Sequence, residues 1–261
     1  MQYQKTSEFV GGRHELGQNF LADPDLISAI RRLVRDETQG PIIELGAGDG
    51  ALTIPLSTLN RPVTALEIDP RRVRRLQARF ADRPSVEIVR ADVLRHRFPA
   101  APHTVVGNVP FHLTTAIIRK LLSERGWGSA VLIVQWEVAR RRAGVGGASM
   151  LTAAWWPWYD FTLVRRIPAS AFRPVPSVDA GLLLMRRRAV PLVDGRQGYQ
   201  AFVKQVFQAP GRGLEEMIGR TGRVRRAELR EWVRWSRIPG RALPKDLVAE
   251  DWARLWELAR D

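Results

Sequence analysis

The chain has 261 residues, the length of one medium domain plus a small one, and apolar residues make up 45% of it, enough for a real core. Its formal net charge of +14, from 37 Arg and 4 Lys against 27 acids, points to a polyanionic partner, nucleic acid before membrane. The absence of Cys excludes a disulfide frame, a Cys–zinc site and a thiol nucleophile. The four His show no ligand spacing, so no metal is expected, and without a signal-like start or a membrane-length apolar run the chain reads as soluble and cytoplasmic.

Asp23-Pro24 reads as an N-cap with proline at the first helical position, opening an amphipathic helix to about Asp36. Pro41 to Leu45 is a short buried strand, followed by a glycine turn and a helix through about Leu59. Pro62 to Glu67 is the next strand, and Asp69-Pro70 caps a basic helix to about Phe80. Val86 to Val89, Thr104 to Val106 and Ala130 to Gln135 are further strands, with a helix over Leu113 to Leu122 between the last two. This alternation argues a parallel sheet covered on both faces, an α/β class. Phe161 to Ile167 and Ala180 to Met185 are the last strand candidates, separated by a proline-rich loop. Beyond Arg186-Arg187-Arg188 only helical periodicity remains, at about Tyr199 to Ala209, Ala227 to Trp235 and Ala249 to Ala259. Residues 186–261 carry half of the net charge in less than half of the length. The expected division is an α/β domain over 1–187, led by an N-terminal arm of about 16 residues, and a basic helical, nucleic-acid-binding domain over 188–261.

The glycine turn reads Glu44-x-Gly46-x-Gly48-x-Gly50 between a strand and a helix. Glycines let a backbone turn tightly and approach a ligand with no Cβ in the way. A dinucleotide fingerprint would be Gly-x-Gly-x-x-Gly. Here Asp49 lies inside the turn, where it repels a pyrophosphate but not a cationic sulfonium or an amino-acid moiety. A purely structural turn is the alternative. Glu67 ends the next strand and can accept from both ribose hydroxyls. Asp92, at the end of the strand after that, can accept from an adenine amine, with Val93 presenting backbone to the ring edge; a helix N-cap is the plainer role for Asp92. Three acids at successive strand ends point to one crevice, because ligands bind outside the carboxyl ends of such strands.

Asn108-Val109-Pro110-Phe111 suggests what happens there. The lone pair of an exocyclic amine is delocalised into its ring. Acceptors for both amino hydrogens, the Asn108 side-chain carbonyl and the Val109 backbone carbonyl held extended by Pro110, can draw that nitrogen towards a tetrahedral shape. This is positioning plus electrostatics, with no strong base required. Gly107 allows close approach. Phe111 supplies a stacking wall for a base that must be flipped out to be reached. Phe172, in a loop stiffened by Pro174 and Pro176, is the candidate second wall, with a core plug as its alternative. Arg140, Arg141 and Arg142, ahead of a glycine-rich loop, and Arg223, Arg225 and Arg226 are candidate phosphate contacts. Arg71, Arg72, Arg74, Arg75 and Arg79 read first as a solvated helix face, and the nine Trp first as core.

Leu16-Gly17-Gln18-Asn19-Phe20-Leu21, Glu44-Leu45-Gly46-Ala47-Gly48, Leu66-Glu67-Ile68-Asp69, Ala91-Asp92-Val93 and Asn108-Val109-Pro110-Phe111, in this order, resemble the ribosomal-RNA adenine N6-methyltransferases. The resemblance covers about residues 13–185 and implies a Rossmann-like class I methyltransferase sheet, a helical C-terminal domain and S-adenosylmethionine as cofactor. It implicates Gln18, Asn19 and Leu21 in capping the cofactor and places Gly46, Glu67, Asp92 and Asn108 around it, with Gly48, Gly50, Ile68 and Val93 expected beside them. The stretch Phe111 to Lys120 and the Trp-Ala-Arg-Leu-Trp ending at Trp256 look like the Erm branch, which confers macrolide resistance by methylating one adenine of 23S rRNA. That implies a monomer acting on 23S rRNA before full ribosome assembly. The alternatives are a housekeeping small-subunit rRNA dimethyltransferase, a DNA adenine methyltransferase and a non-catalytic nucleic-acid-binding relative. The family more often has Asn-Ile-Pro-Tyr; Val109 and Phe111 keep the carbonyl and the ring and lose only a hydroxyl.

Overall fold

A computed structural model describes residues 19–239 and 241–260. The elements run β1 (Phe20–Leu21), α1 (Pro24–Glu37), β2 (Ile42–Leu45), α2 (Thr53–Leu56), β3 (Val63–Glu67), α3 (Pro70–Arg79), β4 (Val86–Arg90), β5 (His103–Asn108), α4 (Thr114–Ser123), β6 (Trp127–Gln135), α5 (Trp136–Arg142), α6 (Met150–Trp155), β7 (Tyr159–Ile167), β8 (Phe172–Arg173) and β9 (Ala180–Arg187). Four helices follow: α7 (Arg196–Gln208), α8 (Leu214–Gly219), α9 (Arg226–Trp235) and α10 (Ala249–Arg260).

Seven strands form one sheet in the order β4-β3-β2-β5-β6-β9-β7. The first five are parallel, but β9 runs antiparallel to both β6 and β7, so the sheet is mixed rather than wholly parallel. The cause is the connection: the short proline-rich loop between β7 and β9 carries no crossover helix, and a short return favours antiparallel pairing. The helix after the glycine turn is also shorter than its periodicity suggests. Leu59 N–H bonds back only three residues, to Leu56 O (3.0 Å), and Asn60 takes a left-handed φ of 52° that ends the helix.

Alternation along the strands divides the core. Ile42, Val106, Val131, Leu182 and Leu184 face α1 and α3, where Leu26, Ile30, Val34, Val73 and Leu76 cover them. Ile43, Val105, Leu132, Leu183 and Met185 face the other way, into a cluster that continues through α4 to Tyr199, Phe202, Trp252 and Trp256 of the C-terminal helices. Asp23 caps α1 as its sequence suggests, its Oδ1 accepting from the N–H of Asp25 (2.9 Å) and of Leu26 (3.1 Å). Among the described residues no strand follows β9, and the helical part shares its buried cluster with one face of the sheet.

Candidate active site

The strand order reverses between β2 and β5, and the crevice at such a switch point is where ligands of open α/β sheets bind. A cavity of about 300 Å³ lies there, lined among others by Phe20, Gly46, Glu67, Asp92, Asn108 and Phe111. The glycine turn forms one wall. The N–H groups of Gly46 and Ala47 both donate to Leu66 O at 2.9 Å, which tips the chain away from β2 and towards β3. Gly46 has φ 72°, and a Cβ built on it meets nothing within 4 Å, so its bare face opens into space that a ligand can fill. Gly48 also lines the cavity; Gly50 does not. Gly50 is required for the turn itself. Its φ is 89°, and a Cβ added there would come within 2.9 Å of Leu76, so its expected contact with the cofactor is corrected to a packing role.

Glu67 is 2% exposed and holds the turn from the neighbouring strand. Its Oε2 accepts from Gly48 N–H (2.7 Å), and its Oε1 accepts from the N–H groups of Ile68 (2.8 Å) and Asp69 (2.9 Å). Oε1 is thereby filled, while Oε2, with one bond, keeps a lone pair for a further donor. Ile68, half exposed, gives the cavity an apolar wall beside it. Asp92 and Val93 line the same space, and Asp92 Oδ1 accepts from Leu94 N–H at 2.8 Å.

In the sequence Glu44 reads as the first of the three strand-end acids, opening the glycine motif. It is buried in the cavity wall, and its Oε2 accepts from Thr53 Oγ1–H at 2.6 Å. Burial pushes its carboxyl up to about 8 against the opposing Thr53 hydrogen bond, and the charge of Glu67 pushes the same way. Beside Glu67 there is thus an acid that keeps its proton at neutral pH.

β5 delivers Asn108 to the opposite wall. Asn108 Nδ2 donates to Asn19 O (2.7 Å), and Val109 N–H donates to Ile133 O (3.0 Å), so both residues are anchored. Their acceptors, Asn108 Oδ1 and the Val109 carbonyl, receive no hydrogen bond among the described residues. Pro110 and Phe111 also line the cavity, with Phe111 opening a short 3-10 turn closed by Leu113 N–H to Pro110 O (2.9 Å). Gly107 is not part of the approach to the cavity. A Cβ there would come within 3.0 Å of Leu45 Cβ, so its bareness serves the pairing of β5 with β2.

The N-terminal cover reaches the site through a contact that carries no sequence signal. Phe20 and Leu21 pair with Arg173 and Phe172, and Asn19, Phe20 and Leu21 line the cavity. The Arg72 guanidinium sits 4.5 Å from the Phe20 ring centroid and 3.5 Å from Asp49, tying this cover to the glycine turn. Gln18 and the N-terminal arm lie outside the described residues. Phe172 is a correction: it is fully buried among Leu21, Ile167 and Ala171 and does not line the cavity, so its ring offers no face to a base and plugs the core beneath its loop.

The candidate phosphate contacts separate by burial. Arg141, Arg223, Arg225 and Arg226 are exposed, and Arg140 is half-buried beside Glu137 (3.3 Å). Arg142 is not a surface group. It is buried, donates to Ser149 Oγ (3.1 Å) and Thr152 Oγ1 (3.3 Å), and is pulled down to about 10 by burial and then by the charge of Arg119. It pins the start of α6 to the end of α5, so its assignment to RNA is corrected.

A family profile described as ribosomal RNA adenine dimethylase matches residues 11–261. The chain is similar to the mycinamicin-resistance protein MyrB of Micromonospora griseorubida, with 54% identity over 254 residues that cover 97% of this chain and 80% of that protein. It is similar to an rRNA adenine N-6-methyltransferase of Corynebacterium diphtheriae, with 50% identity over 218 residues that cover 83% and 85%. Among solved structures it is similar to the 23S rRNA methyltransferase ErmE, with a TM-score of 0.85 and 32% identity across 93% of this chain and 100% of that one.

Proposed function

The chain belongs to the ribosomal RNA adenine dimethylase family, and on that premise we propose that it moves a methyl group from S-adenosylmethionine to the exocyclic N6 of one adenine in 23S rRNA, conferring macrolide resistance. It is an rRNA adenine N6-methyltransferase. The observation that carries the chemistry is the pair of acceptors at the end of β5, Asn108 Oδ1 and the Val109 carbonyl, both anchored and neither accepting a hydrogen bond among the described residues.

The residues fit the cofactor. The open face of Gly46 can take its amino-acid moiety, Glu67 its ribose, and Asp92 with Ile68 its adenine. Asp49 and Glu67 favour a cation over a pyrophosphate. The cofactor supplies an electrophilic methyl on a sulfonium. Asn108 and Val109 then orient the target: each accepts one N6 hydrogen, which localises the nitrogen lone pair and aims it across the crevice. Phe111 offers a stacking wall that holds the flipped base in place. The proton lost from N6 needs no dedicated base, because the methylated ammonium is strongly acidic.

Likeness to a mycinamicin-resistance protein supports the resistance branch over the small-subunit one. The target adenine must be unpaired and reachable, which favours action on 23S rRNA before the ribosome is fully assembled; the enzyme is taken to act as a monomer. Among the described residues no helix is long and apolar enough to cross a membrane. The test is mass mapping of modified adenines in RNA from a macrolide-sensitive bacterium that expresses the wild type or Asn108→Ala. One modified 23S adenine and raised drug tolerance, both lost in the variant, are expected. Modification confined to small-subunit RNA would overturn the proposal.

A further inference from the structure

Of the nine tryptophans, Trp235 alone is exposed, at 81%, while the others are buried or half-buried. It is the last residue of α9 and makes no ring or cation contact among the described residues. A groove of about 430 Å³ opens beside it, lined by Glu228, Glu231, Trp232, Trp235, Arg254 and Leu258. Trp232 is only 8% exposed, and its Nε1–H has no acceptor among the described residues, an unpaired buried donor at the groove.

The charges around the groove select among occupants. Glu228 is paired with Arg225 at 2.8 Å, and Arg230 with Glu215 at 3.0 Å. Arg226, Arg234, Arg237 and Arg254 form no ion pair among the described residues. The groove itself is lined by two carboxylates and one guanidinium, but residues 225–237, which form and flank α9, carry five Arg against two Glu, so the rim around Trp235 is net cationic on a chain of net charge +14. A second copy of this chain would bring like charge to it. A polyanion that also carries flat apolar faces suits both the rim and the indole. A nucleobase edge presents donors and acceptors together, which the exposed Glu231 carboxylate and Arg254 guanidinium can meet.

We infer that the groove between α9 and α10 is a second RNA contact, in which an unpaired base of the substrate rRNA, distinct from the methylated adenine, stacks on Trp235 while neighbouring arginines take the flanking phosphates. This rests on the reading of the chain as an rRNA methyltransferase. The C-terminal helices then grip RNA away from the crevice and so help select which adenine enters it.

The test uses the full chain and a 23S rRNA fragment that the wild type methylates, with Trp235→Ala, Trp235→Phe and Trp235→Leu. Kd for the fragment is read by anisotropy, and KM and kcat by methyl incorporation. Trp235→Ala should raise Kd and KM for RNA by roughly tenfold to a hundredfold, the range for loss of one stacked base, with cofactor affinity unchanged. Trp235→Phe should recover most of the loss and Trp235→Leu little of it. Wild-type affinity in all three, or recovery by Leu equal to that by Phe, would overturn the stacking contact. A dimer in sedimentation that Trp235→Ala dissociates would overturn it in favour of self-association. If the wild type methylates no rRNA, the functional reading fails instead, and anisotropy still reports whether Trp235 binds RNA.

Discussion

Replacing Glu44 by Gln should flatten the dependence of stability on pH. The carboxyl titrates near 4.5 when exposed and at about 8 when folded, because burial disfavours its charge. Below pH 4.5 both states hold the proton and the group contributes no pH dependence. Between 4.5 and about 8 the folded state keeps a proton that the unfolded state has released, so stability falls as pH rises, and above about 8 the loss is complete. The slope inside that window approaches roughly 1.4 kcal/mol per pH unit, which integrates to about 2 kcal/mol between pH 6 and 8. Gln keeps the volume and an oxygen for Thr53 Oγ1–H, whose bond to Glu44 is 2.6 Å, but cannot ionise. Urea unfolding of both proteins at pH 6, 7 and 8 measures the difference, since every other titrating group is common to them. The variant should gain about 2 kcal/mol on the wild type across that range. Two stability curves that stay parallel would refute a buried neutral acid at this position.

Asn108→Ala should remove most turnover while weakening cofactor affinity far less, through the lost bond to Asn19 O, and single-turnover methylation near the wild-type rate would refute the assignment of its acceptor. Phe111→Ala should lose roughly 1–3 kcal/mol of target-base stacking, read as a fall in kcat/KM for RNA. Glu67→Ala should weaken S-adenosylmethionine binding by about 1.5–3 kcal/mol, or roughly tenfold to a hundredfold, measured by calorimetric titration. The substitution also strands three backbone N–H groups of the glycine turn, a cost that falls on folding stability. RNA affinity should fall steeply with salt, because phosphate contacts release counterions; an affinity unchanged between about 50 and 200 mM salt, a range over which such contacts typically lose about a thousandfold or more, would contradict the role given to the charge.

Most of the crevice is legible in the sequence because its parts are local. Strand, glycine turn and the next strand-end acid all fall within residues 42–67, and strand alternation shows which residues are buried. What is not legible is tertiary. The pairing of Phe20–Leu21 with Phe172–Arg173 joins two segments of two residues each, too short for any periodic signal, and it both covers the cavity and buries Phe172. The run Arg140-Arg141-Arg142 reads as one patch, although residues adjacent on a helix point about 100° apart; one of the three has to face inward, and Arg142 does. Glu44 looks like a motif letter, because its burial depends on α2 folding back to supply Thr53. Gly107 looks like room for a ligand, but the neighbouring strand needs the space.

The same distinction decides how the C-terminal helices behave. Their apolar periodicity is plain in the sequence, but not the surface they cover. Tyr199 Oη donates to Ala153 O (2.8 Å), Gln200 Nε2 to Ala154 O (3.1 Å) and Trp256 Nε1 to Asp194 O (3.2 Å). Tyr199 meets Trp158 edge-on at 5.5 Å, and the Arg196 guanidinium lies 5.3 Å from the rings of both Trp155 and Trp158. Ending the chain after Arg188 would uncover this aromatic face of α6 and β7. At about 1.5–3 kcal/mol for each large side chain re-exposed, three such residues represent on the order of 5–9 kcal/mol, comparable with the roughly 5–15 kcal/mol that holds a typical domain together. The truncated chain should therefore lose cooperative thermal unfolding and cofactor binding together with RNA binding. A truncated protein that melts cooperatively and binds S-adenosylmethionine with wild-type affinity would show that the sheet carries its own core, and that the C-terminal helices are a separable RNA-binding addition.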